Sequence, residues 1–203
     1  TNVGTQHVWV KAESDNYVND TCEYTLTITQ AELTIIINDS KEYDGEPITT
    51  DVTANNAQGV VTVSGLLNNE TLTAGAITSN GSNFGIYYYN VENQENSATI
   101  STEFATSDGI SNYEVTITST QEITKSNDLV VTCPNIDNST QTYDGTALEP
   151  TATASGMTES DNADILYCTD EDLSANSVWS ETAPSITNVG TQHVWVKAES
   201  DNY

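Results

Sequence analysis

The chain has no arginine and only four lysines against thirty aspartates and glutamates, a formal net charge of −26. A surface of that sign repels phosphate backbones, which argues against any nucleic-acid partner, and it is repelled by anionic lipid. Histidine is nearly absent: His7 and His193 are one position seen in two copies of the same stretch. A Ser-His-Asp relay therefore has little to be built on. The plentiful carboxylates include no pair singled out by an apolar pocket, so the reading is non-enzymatic. Cysteine is scarce too, and Cys22, Cys133 and Cys168 have no CxxC spacing, which makes zinc improbable. No apolar run reaches the ~18 residues of a membrane-spanning helix, and there is no basic-then-apolar leader.

What is abundant is strand chemistry: Val, Ile, Thr and Tyr in alternating runs, separated by Asn, Gly, Asp and Ser clusters. The acidity reads first as solvation of a long surface protein. The most informative feature is a duplication. TNVGTQHVWVKAESDNY, Thr1–Tyr17, recurs without a mismatch as Thr187–Tyr203, an offset of 187 − 1 = 186 residues. Such a recurrence marks a slice through a tandem array slightly wider than one repeat.

A weaker period lies inside the 186. NYEVTITSTQEI (112–123) echoes EYTLTITQAELTI (23–35), with Tyr113 − Tyr24 = 89 and 186 − 89 = 97. KEYDGEPI (41–48) likewise echoes QTYDGTALEP (141–150). The repeat thus holds two related modules: 32–124, and 125–203 lacking its last strand, with 1–31 as the C-terminal strands of a preceding module. Strands are expected at 32–37, 60–65, 85–91, 98–104 and 113–119, then at 129–133, 151–155, 165–169 and 191–199. The YDG tripeptides are turns in which Gly45 and Gly145 supply positive φ and Asp44 and Asp144 bond the local backbone. Alternation puts Val194, Val196 and Ala198 on one face and His193, Trp195 and Lys197 on the other, leaving the Trp half exposed. It also turns Tyr24, Leu26 and Ile28 inward. Short strands with frequent turns over about ninety residues point to an all-β fold: tandem Ig-like β-sandwich modules in a linear array.

These same stretches, YDG followed by Pro and Thr-Ala, ITNVGTQHVWVKAESDNY (186–203), EYTLTITQAELTI (23–35) and VSGLLNNETL (63–72), resemble the Ig-like or MBG-type repeats of bacterial cell-surface proteins and adhesins. The resemblance spans nearly the whole chain and lies in turn and core positions. It implies an extracellular or cell-surface location and a structural or adhesive role. The shortage of lysine argues against the intramolecular Lys–Asn isopeptide bonds that some surface repeats carry.

A module short of its last strand leaves a sheet edge and apolar side chains open. In a continuous array the next copy supplies that strand; in a fibre of separate subunits the hairpin 1–31 is donated in trans. Either contact runs head-to-tail and does not close. The partners expected are therefore neighbouring copies of the repeat. The alternative is an adhesin or carbohydrate-binding module that meets host or environmental glycans or proteins through its loops and through Trp9, Trp179, Trp195 or the strip Tyr87, Tyr88 and Tyr89.

Asn19, Asn38, Asn69, Asn80 and Asn138 head Asn-X-Ser/Thr triplets and are candidates for N-linked glycan. Their number is what chance gives for this composition, though Asn69, Asn80 and Asn138 fall in turn-like stretches. An extracellular setting favours disulfides. Cys133 pairs with Cys168 if their strands run parallel and end at one pole, and Cys22 of a neighbouring copy is the rival partner. The clusters DNAD (161–164) and DEDLS (170–174) could gather oxygens around Ca2+, but neither has fixed ligand spacing. No other cofactor is expected.

Overall fold

The computed structural model describes residues 2–55, 59–92, 94–134 and 139–203. The chain is all-β. Thirteen strands are present among the described residues, and helix is confined to one turn, α1 (Val52–Asn55), and a 3-10 turn at Ile110–Asn112. Contacts divide the chain into two compact units. The first comprises Thr1–Ser40, Pro47–Gly81 and Ile86–Glu122; the second comprises Lys41–Glu46, Ser82–Gly85 and Ile123–Tyr203.

The first unit opens on a hairpin. β1 (Gly4–Ser14) and β2 (Tyr17–Ile28) pair antiparallel through the Asp15-Asn16 loop, from Gly4↔Ile28 to Ser14↔Tyr17. Register Val8↔Tyr24 and Val10↔Cys22 puts Val8, Val10, Cys22, Tyr24, Leu26 and Ile28 on one face. The opposite face is polar: the Thr5 and Thr27 hydroxyls lie 3.3 Å apart and His7 Nδ1 lies 2.8 Å from Glu23 Oε1. The alternation is as the sequence implies, but the face expected to turn inward is open, and Tyr24 is 56% exposed. Among the described residues the two strands have each other and no sheet beyond.

The rest of the unit consists of two sheets. β3 (Ala31–Glu42) sits between β5 (Val61–Ser64) and β9 (Tyr113–Thr124), with β7 (Gly85–Tyr89) outside β9. The second sheet is β4 (Thr49–Asp51), β6 (Leu72–Ser79) and β8 (Ala98–Thr106), all antiparallel. β3 alternates cleanly: Leu33, Ile35 and Ile37 are fully buried and join Ile48, Val52, Ile77, Tyr87, Phe104 and Tyr113 in the core. Each such side chain removed from water contributes about 1.5–3 kcal/mol. Gln121, fully buried on β9, bridges the sheets. Its Nε2 donates to Thr50 Oγ1 at 2.8 Å and to the Ile77 carbonyl at 3.0 Å, which satisfies the amide nitrogen, while its Oε1 is buried without a hydrogen-bond partner.

In the second unit β10 (Val130–Thr132) pairs with β11 (Thr153–Ser155), and β12 (Asp164–Cys168) pairs with β13 (Trp195–Glu199). The second copy of the duplicated sequence is thus seated on a sheet through β13, whereas in the first copy the same letters lie in the open hairpin. Its core is thin: among the described residues Ile123, Cys168 and Tyr43 are its buried apolar side chains, while Val130, Tyr143, Leu173 and Val178 stand exposed.

Two strands, β4 and β6, fall outside those read from the sequence. β6 is LTAGAITS, with small residues where a strand usually shows branched ones. Its Gly75 has φ +145, and a Cβ there would meet the Phe104 ring at 2.6 Å. The small residue is what lets the aromatic ring lie over the strand.

Candidate functional site

Both YDG turns take the conformation their residues dictate. Gly45 has φ +86 and Gly145 φ +84. Asp44 Oδ1 accepts the Glu46 N–H at 3.0 Å, and Asp144 Oδ1 accepts the Thr146 N–H at 2.8 Å. The bond from Lys41 first, and then the Glu46 amide, hold the Asp44 carboxyl below its usual range; the Thr146 hydroxyl and amide do so for Asp144.

The first turn carries Tyr43 into a polar cluster of the second unit. Asp161 Oδ2 accepts the Tyr43 hydroxyl at 2.6 Å, the Thr158 hydroxyl at 2.7 Å and the Tyr203 hydroxyl at 3.2 Å. Asn202, nearly buried, donates from Nδ2 to Asp161 Oδ1 at 3.4 Å, and its Oδ1 accepts the Phe84 N–H at 2.9 Å. The Tyr43 and Tyr203 rings meet edge to face, 5.5 Å between centroids. Tyr203 also accepts the Thr158 N–H at 2.8 Å. Beside this cluster, Asn83, Phe84, Lys125, Asp201 and Asn202 line a shallow depression. Lys125 Nζ there donates to the Ser200 and Tyr203 carbonyls and lies 5.5 Å from the Phe84 ring centre.

Chemically the cluster is a clamp. One carboxylate takes four donors from three separate chain segments, so its charge is spent on holding DNY (201–203) against residues 43, 84 and 158. The Tyr43 hydroxyl first, and then that of Thr158, pull the Asp161 carboxyl below its ordinary pKa; burial, and then Asp161 itself, push the Tyr43 phenol up. A carboxyl depressed on folding contributes stability that is present above its unfolded value, about 3.9, and is lost as pH falls through the folded one. Asp161→Asn is accordingly expected to lower the urea midpoint of the second unit at pH 7, with the gap from wild type narrowing below about pH 4. Tyrosine fluorescence across a pH series of urea titrations checks this; a gap that stays constant would contradict it.

The remaining sequence candidates are scattered. Asn19 and Asn38 are exposed on β2 and β3. Asn69 is exposed in a turn at φ +62. Asn80 is exposed just past β6, with its Nδ2 donating to Ser97 Oγ at 2.6 Å. Asn138 lies outside the described residues. Cys22 is exposed, Cys133 half-buried and Cys168 buried, each as a free thiol. Among the described residues no group of three His, Cys, Asp or Glu side chains is placed to hold a metal ion. Asp170 instead offers its carbonyl to Trp195 Nε1 at 3.1 Å. Trp195 is half-buried as expected, with Lys197 Nζ 4.5 Å above the Trp179 ring on the same side. Trp9, its copy, is exposed, and of the tyrosine strip Tyr87 is buried.

Sequence reasoning missed the Asp161 clamp, in which the bond from Tyr43 to Asp161 alone spans 118 residues. The available signal was DNY itself, three polar or aromatic residues at the end of the duplicated stretch.

Comparison with known protein-family models, curated proteins and solved structures finds no match.

Proposed function

We propose that the chain is a structural repeat of an extracellular filament, stalk or surface fibre, built from two Ig-like sandwich modules per 186 residues and acting without catalysis. The observation that carries this reading is the mismatch-free recurrence of 1–17 at 187–203. Repetition of construction supports it. Gly65 follows β5 and Gly156 follows β11 directly, and each presses on facing backbone: a Cβ would meet the Glu32 carbonyl oxygen at 2.1 Å or that of Asp128 at 1.8 Å. The pairs Thr34↔Ser64 and Val130↔Ser155 then align Leu33, Ile35 and Ile37 with Leu129, Val131 and Cys133. The high negative charge keeps such a polymer solvated, and no helix among the described residues is long and apolar enough to cross a membrane. The direct partners are neighbouring copies, head-to-tail. Electron micrographs of the native material should show continuous thin filaments; compact isolated particles would contradict the reading.

Trp9, 68% exposed beside Thr5, His7 and Lys11, favours a second reading: an adhesin or carbohydrate-binding module, using a flat aromatic face to stack on sugar rings. A glycan array probed with the chain separates the two, since a specific sugar hit that disappears in Trp9→Ala supports adhesion.

A further inference from the structure

Among the described residues there is a strand whose apolar face is uncovered and a sheet with an unpaired edge, and the two correspond. In the first unit β9 lies on the side of β3 away from β5. Gln30, at the head of β3, donates to the Ser111 and Tyr113 carbonyls, and Tyr43, just past its end, donates to the Thr124 carbonyl. The two twelve-residue strands therefore start and finish together. With β9 in place Leu33, Ile35 and Ile37 are at 0% exposure and Tyr113 at 4%, its hydroxyl accepting the Leu67 N–H at 3.1 Å.

In the second unit β10 is hydrogen-bonded to β11 alone among the described residues, and β13 also lies against it. Leu129, Val131 and Cys133, the counterparts of the three fully buried residues, are all left half-buried. The counterpart of β9 by sequence is the second half of β2, since EYTLTIT matches NYEVTIT with Tyr24 on Tyr113, Leu26 on Val115 and Ile28 on Ile117. That segment is the exposed apolar face of the hairpin.

Resting on the tandem-repeat reading, we propose that the open side of β10 is a docking edge for the strand Cys22–Gln30 of a further copy of this sequence, entering parallel to β10 with Leu26 beside Leu129 and Ile28 beside Val131. The occupant is specified by the molecule itself: the first unit shows which strand fills this place, and the chain carries a near-copy of that strand with its apolar face uncovered. The entering strand takes up the unpaired backbone groups of β10 while its apolar side chains cover the half-exposed row, as in strand addition generally. The β1–β2 pairing is then the arrangement these two strands adopt when neither has its own sheet, and β13, identical in sequence to Trp9–Glu13, shows where β1 goes when its sheet is present.

The test is a synthetic peptide of residues 18–31 added under reducing conditions to the 203-residue chain. Saturable one-to-one binding is expected, with amide-exchange protection appearing across 129–133 and Tm rising by about 5 °C or more at a hundredfold excess over Kd. The same peptide with Leu26→Asp and Ile28→Asp should bind at least a hundredfold more weakly. No Tm shift at millimolar peptide, or protection confined to Trp195–Glu199, would overturn the proposal. Failure of the peptide alongside filaments in micrographs removes the docking edge and leaves the repeat; binding without filaments does the reverse.

Discussion

Gly65→Ala is expected to destabilise the first unit by about 3 kcal/mol or more, a large share of the roughly 5–15 kcal/mol that holds an ordinary domain folded. Two costs add. At φ +102 a Cβ is strained whatever surrounds it, and here it would also lie 2.1 Å from the Glu32 carbonyl oxygen, 3.2 Å from Leu33 Cα. The obstacle is backbone within a paired strand, so relief requires β3 and β5 to part. Gly156→Ala repeats the collision in the second unit against Asp128. Gly145→Ala is the control: its φ is +84 but nothing lies within 4 Å of the added carbon, so only the strain of about 1–2 kcal/mol remains. Urea titrations of the three variants check the order. Equal losses at Gly65 and Gly145 would show that the close approach is not real.

Ile35→Ala is expected to cost about 3–4 kcal/mol, in the middle of the range for truncating a fully buried isoleucine whose cavity cannot collapse. Ile35 sits at 0% exposure, its strand flanked by β5 and β9. The aligned substitution Val131→Ala should cost about 1 kcal/mol or less in the isolated chain, because a half-buried side chain has less to lose. The difference between the two is a measure of what β9 adds to one unit and what the other lacks. Bound peptide 18–31 should raise the cost of Val131→Ala and leave that of Ile35→Ala unchanged. A large cost at Val131 without peptide would show that its unit is already complete.

Much of the backbone was legible because it is written in local rules. Tyr-Asp-Gly demands a turn with positive φ at the glycine, and both instances have it. ELTIII and YEVTITS alternate and branch as strands do, and they became β3 and β9. What was illegible depends on partners distant in the chain. Gly75 in β6 reads as a strand breaker until the Phe104 ring is seen lying on it. Asp161 reads from the sequence as one oxygen donor of the DNAD cluster, and its role shows only where the Tyr43, Thr158 and Tyr203 hydroxyls converge on it. Tyr24, Leu26 and Ile28 were assigned to one face correctly, yet that face is uncovered: alternation defines a face and says nothing about what lies against it. The duplicated stretch makes the same point within one molecule. Asn202 is buried and Tyr203 clamped, while Tyr17, the same position in the first copy of the stretch, is 81% exposed.

Linear repetition is the property on which the proposed role depends. A twelve-residue strand spans about 40 Å, so a module of that length gives about 70–90 Å for each pair of modules. Polypeptides carrying two, three and four 186-residue repeats should therefore lengthen by that increment per repeat when their contours are measured in electron micrographs. Particles whose diameter grows with every added repeat while their length does not would contradict it.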